Sequence, residues 1–204
     1  APPDLTVGTV LRQLDELLTA HQRRPLLVWA YVDFDTHLHR FGPDRSLTRA
    51  LRLLDTAAAR WADSGWTVTA HADHGLAPVA HDENAARAWS ALDTPHRCRL
   101  PSGGAGRVRW LHPHPGTEER FADEARERLA PCADVLAPAD LTRSGLLPGS
   151  PEVHARLGTV VGVATSAAFP VPDPTYRYEH GAWTPQERDV PLAVWSSDDE
   201  GEEP

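Results

Sequence analysis

Leu26–Val32 reads LLVWAYV and runs directly into Asp33–Pro43, DFDTHLHRFGP. A short, nearly continuous apolar run that ends in acids and histidines predicts a buried parallel strand with a polar loop at its carboxyl end. Ser46 then suits a helix N-cap, with Leu47, Leu51, Leu54, Ala58 and Trp61 recurring on one side of the helix that follows. Gly65 closes that helix. Trp66–Ala72 (WTVTAHA) predicts a second strand, and Asp73-His74-Gly75 stands just past its end. Strand, helix, strand, with polar residues where each strand stops, is the α/β arrangement in which ligand sites gather. Upstream, Val7, Val10, Leu11, Leu14, Leu17 and Leu18 recur at helical spacing until Pro25.

Beyond this unit the pattern loosens. Residues 84–92 and 118–129 read as helices. PSGGAG (101–106) reads as a hairpin turn before a strand at 107–111. TVVGVAT (159–165) predicts an apolar strand, 171–178 a proline-rich loop, and 190–195 a last strand. The expected organisation is one domain over residues 1–195, less regular at 80–150 (a cap or insert), and an acidic disordered tail at 196–204.

The 204 residues are 41% hydrophobic and 24% charged, which excludes a disordered or collagen-like chain. The net charge is −9, and Asp198, Asp199, Glu200, Glu202 and Glu203 concentrate part of it at the end of the chain. All 20 basic residues are arginines, scattered without a basic block, so no nucleic-acid-binding patch is expected. No apolar run approaches the roughly 20 residues that span a bilayer, so no membrane association is expected. With no signal-peptide pattern, the expected location is cytoplasmic. Cys98 and Cys132 are far apart and predict two free thiols. PSGGAG lacks the lysine of a phosphate-binding P-loop, and the seven tryptophans are scattered and read as core or pocket wall.

Eleven histidines are many for this length, and their positions matter more than their number. Asp35 and His39 are four apart after the first strand, and so are Asp33 and His37. Asp73 and His74 are adjacent after the second. His180 opens HGAWTPQERDVPL, just before the last strand. Carboxylate oxygen and imidazole nitrogen together suit zinc or a similar divalent ion. An isolated D-x-x-x-H match is more often a loop-capping pair, and spacing alone leaves both registers open.

The order of the pieces carries more. Y-x-D-x-D-x-x-x-H-x-x-G-P (31–43), then T-x-x-A-D-H-G (69–75), then H-G-x-x-T-P-x-E-x-x-V-P-L (180–192) resembles the alkaline phosphatase superfamily, and within it the type I phosphodiesterase / nucleotide pyrophosphatase branch. Arg156-Leu157-Gly158 resembles a further block, with Thr159 where the family usually has an acid. In the family a glycine-proline pair follows the ligand histidine by three residues, so the resemblance implies Asp35 and His39 as the matching pair, with Asp33 and His37 as bystanders or neighbours of the ligands.

The resemblance implies an alkaline phosphatase-like α/β fold with a central, mostly parallel sheet flanked by helices, of which this chain is the C-terminal part. It implies a hydrolase of phosphate esters (phosphodiester, pyrophosphate or phosphomonoester) with a two-zinc site. One zinc would take Asp35, His39 and His180. The other would take Asp73 and His74, with an upstream aspartate and a Thr or Ser nucleophile. The last two find no match here, because the residues before Leu26 read as one helix in which Thr6, Thr9 and Thr19 follow no strand. The expected partners are a small phosphate-ester substrate and the N-terminal half of the domain or a complementing chain. The alternative is a non-catalytic family member that binds metal or phosphate without turnover.

Overall fold

The computed structural model describes residues 2–21, 25–145 and 149–197. It divides into two compact units, Ala1–Asp73 with Val190–Pro204, and His74–Asp189.

In the first unit, helices α1 (Pro3–Ala20), α2 (Asp35–Phe41) and α3 (Arg45–Asp63) accompany strand β1 (Val68–His71) and the strand from the far end of the chain, β8 (Leu192–Trp195). The two strands pair antiparallel, with Thr69 opposite Val194 and His71 opposite Leu192. Leu18, Ala57 and Trp61 form the buried seam of α1 and α3, joined by Leu11, Leu14, Val28, Trp66 and Val68. Asp15 ties the helices together, accepting from the Trp61 indole at 2.6 Å and from Arg60 at 2.6 and 2.9 Å. The cap of α3 is Asp44, not Ser46: its carboxylate accepts the Leu47 N–H at 2.8 Å, while the Ser46 hydroxyl donates to Asp4.

The second unit holds β2 (Ala77–Pro78), α4 (Glu83–Leu92), β3 (Cys98–Ala105), β4 (Val108–Pro113), α5 (Glu118–Leu129), β5 (Ala133–Leu136), α6 (Pro138–Arg143), α7 (Pro151–Arg156), β6 (Val160–Ala164), β7 (Tyr178–Glu179) and α8 (Pro185–Arg188). Its main sheet has the order β3-β4-β6-β5. All five residues of β6 are buried, as the unbroken apolar run 159–165 predicts for an inner strand. Phe121, Ala125 and Leu129 recur on one face of α5 and meet Leu111, Val161 and Val163 in the core, which also takes Trp89, Leu92 and Phe169. Cys98 and Cys132 are buried free thiols.

Two expectations need correction. Every strand pairing among the described residues is antiparallel, so the α/β class holds but a mostly parallel sheet is not seen. The decisive segment, Leu26–Val32, forms no strand and is not buried: Leu27 is 94% and Trp29 82% exposed. Only Val28 of that run reaches the α1–α3 core. An apolar run predicts burial only where a neighbour covers it, and no strand of the described residues pairs with this one. The acidic residues from Asp198 onward lie outside the described residues. No helix among the described residues is long and apolar enough to cross a membrane.

Candidate metal centre

The sequence predicts a loop after Val32, yet residues 35–41 of it fold into α2. Asp35 stands in the first turn, where a carboxylate meets the positive end of the helix dipole, and His39 and Arg40 stand in the last. Residues four apart share a helix face. His39 Nε2 therefore lies 3.1 Å from Asp35 Oδ2, with the imidazole buried. Gly42 and Pro43 end the helix, and the Gly42 N–H closes it on the Leu38 carbonyl.

The other pair of the same spacing does not close on itself. Asp33 accepts the Thr36 N–H and hydroxyl, both at 3.4 Å, from two residues before the helix starts. His37 turns to Asp44, 3.2 Å away. The Leu47 N–H, and His37 after it, hold the Asp44 carboxyl below the usual carboxylate range.

Asp73 is the last residue of the first unit and His74 the first of the second. In the second unit, β2 pairs with β7, with Ala77 opposite Glu179, and this brings the start of the unit beside His180. The His74 and His180 rings stack, centroids 3.6 Å apart and planes within 14°. His74 Nδ1 also lies 3.1 Å from the Gly75 carbonyl oxygen. Gly75 is required by contact rather than by turn geometry. A Cβ there would sit 2.0 Å from the Gln186 carbonyl oxygen, and the Gly75 N–H donates to the Glu187 carbonyl at 2.8 Å. The chain thus passes backbone to backbone across the HGAWTPQE loop.

No protein-family model matches the sequence, and no curated protein matches it. Solved structures do match. Murine ectonucleotide pyrophosphatase / phosphodiesterase 5 superposes with a TM-score of 0.59 at 17% identity over 95% of this chain and 53% of that one. Phosphonoacetate hydrolase from Sinorhizobium meliloti, in complex with phosphonoacetate, gives 0.59 at 17% identity over 98% and 51%. The human ectonucleotide pyrophosphatase / phosphodiesterase 5 gives 0.51 at 18% over 94% and 51%. The chain has an alkaline phosphatase-like fold. It spans about half the length of the solved chains it matches.

On this alkaline phosphatase-like frame, sequence reasoning missed the groups that hold the His180 loop. Arg107, Glu179 and Glu187 are buried polar residues around it. Glu187 belongs to the third sequence block and carried no assigned role. Thr184 and Glu187 have the spacing of a capping box at the start of α8. The Glu187 side chain does receive the Thr184 hydroxyl, at 2.5 Å, but it also turns inward to Arg107. Arg107 gives no signal, because nothing in an arginine at the start of an expected strand predicts a fully buried guanidinium.

Proposed function

We propose that this chain is the metal-ligand half of a zinc-dependent phosphoric ester hydrolase. The observation that carries the reading is the Asp35–His39 pair. Of two pairs with identical spacing, it is the one that closes on itself, at 3.1 Å, in the register that the three-block order calls for. Carboxylate oxygen beside a buried imidazole nitrogen is a donor set suited to zinc. Fold neighbours that include a pyrophosphatase / phosphodiesterase and a phosphonoacetate hydrolase support the same chemical class.

In this reading Asp35, His39 and His180 hold one ion, and Asp73 and His74 contribute to a second. When bound, zinc supplies Lewis-acid polarisation of a phosphoryl oxygen and lowers the pKa of a bound hydroxyl or water. The chain's own part is to present ligands. α2 sets the spacing of Asp35 and His39, and the β2–β7 pairing sets His74 against His180. The nucleophile is assigned to polypeptide outside these residues, the N-terminal half of such a domain or a complementing chain. Within α1 the Thr6 and Thr9 hydroxyls donate to the Pro2 and Leu5 carbonyls and follow no strand. The substrate class is a small phosphate ester.

Zinc content after chelator stripping and reloading tests the reading. The wild-type chain is expected to retain zinc, and His180→Ala to lose it. A reloaded wild type without zinc overturns the reading. With the complementing half present, hydrolysis of a phosphodiester that His180→Ala abolishes distinguishes an enzyme from a non-catalytic metal binder.

A further inference from the structure

The tip of the β3–β4 hairpin lies against the loop that carries His180. Gly106 sits there at φ +58°, and a Cβ on it would be 2.2 Å from the His180 carbonyl oxygen and 2.7 Å from Glu179 Oε1. The next residue, Arg107, donates its N–H to that same carbonyl at 2.8 Å. On the other side of His180, its own N–H donates to Glu179 Oε1 at 3.0 Å. Both peptide groups of this one histidine are therefore satisfied by fixed, buried partners.

The Arg107 side chain continues the clasp. It and the Glu187 carboxylate are each 1% exposed and meet at 2.9 Å, Nε to Oε1. Arg107 Nη1 donates to the Ser166 carbonyl at 3.0 Å. Glu187 Oε1 also accepts the Ala182 N–H at 2.9 Å, and Oε2 the Thr184 hydroxyl at 2.5 Å. The hairpin tip, the bend after β6 at Ser166 and the His180–Thr184 turn are thereby bound into one network. A buried ion pair contributes little net stability, since desolvation offsets its attraction. It does fix geometry, and groups that orient a ligand histidine govern metal affinity without touching the metal.

We propose that Arg107, acting with Glu187 and through the Gly106 turn, is a positioning residue that holds His180 in its ligand orientation. This rests on the reading of His180 as a metal ligand.

The test measures zinc affinity by competition with a chromophoric chelator, beside the melting temperature of the metal-free chain. Arg107→Met/Glu187→Gln removes both charges together and keeps an acceptor for the Ala182 N–H. Its metal-free melt is expected close to wild type, with zinc bound about ten- to a hundredfold more weakly. Gly106→Ala displaces the His180 carbonyl by an independent route and is expected to weaken zinc over the same range. It carries the test if the double variant does not fold. A merely structural role moves the melt and leaves zinc affinity alone, so wild-type affinity in either folded variant overturns the proposal. His180→Ala is the reference. If it loses zinc while the other variants keep it, positioning alone is overturned. If His180→Ala keeps wild-type affinity, the underlying ligand reading falls.

Discussion

Glu124 is held between two guanidinium groups. Arg97 donates to its two oxygens at 2.9 and 2.5 Å, and Arg128 to one of them at 2.7 Å. These hydrogen bonds, Arg97 first, pull its carboxyl down from an ordinary 4.5 to about 2. A folded-state pKa below the unfolded one gives stability that is complete above the unfolded value and lost as pH falls towards the folded one. Unfolding free energy is therefore expected to decline from about pH 4.5 to about pH 2 in the wild type, and less steeply in Glu124→Gln. Equal slopes in urea titrations across that window would sink this account. The same residue scale separates Asp35 from Asp33. In sequence the two acids share the same spacing, each with a histidine four places on. Side-chain geometry tells them apart, because Asp33 is spent on Thr36 and Asp35 on His39. The clasp around His180 was illegible for a related reason. Arg107 and Glu187 are eighty positions apart, and each reads alone as an ordinary surface charge.

At the scale of elements, periodicity was a reliable guide where an element buries one face. The helix expected at 118–129 is α5 with the same bounds, because Phe121, Ala125 and Leu129 recur on its buried side. The apolar run at 159–165 is the inner strand β6, whereas PSGGAG, expected as a hairpin turn, is strand from Pro101 to Ala105 and turns only at Gly106, because its small residues pair with β4. Short elements fixed by capping or local pairing escaped: α2, α6, α7, α8 and the two-residue ladder of β2 and β7 carry too few residues for a period to show. That small ladder has consequences larger than its length, since it sets where Gly75 meets the 186–187 backbone. Gly75→Ala forces a methyl to within 2.0 Å of the Gln186 oxygen, an overlap that only backbone displacement relieves. The expected cost is about 1–3 kcal/mol, the usual range for overpacking. Thermal denaturation checks it, and a wild-type melting temperature would contradict the close approach.

For the whole molecule, the unexpected feature is the apolar surface of the first unit. Thr69, His71, Leu192 and Val194 share the outer face of the β1–β8 ribbon, and Trp29 stands edge-on to His71 at 6.1 Å. Trp29, Leu192 and Val194 are exposed large side chains of the kind that drives association. The chain on its own is expected to self-associate in sedimentation equilibrium, and Trp29→Lys/Val194→Lys to shift it towards monomer. A wild type that stays monomeric at all loading concentrations would show that this face is benign. The connectivity of the two units also orders events during synthesis. The first unit is closed by β8, whose residues 192–195 follow the entire second unit in the chain. A ribosome therefore releases α1, α3 and β1 well before the strand that pairs with β1, while the 74–189 segment has all of its own strands in hand as soon as it emerges. Units complete in sequence fold as they appear. A nascent chain arrested before residue 192 is therefore expected to hold a finished 74–189 segment while residues 25–73 stay open to protease, which limited proteolysis of the arrested chain checks.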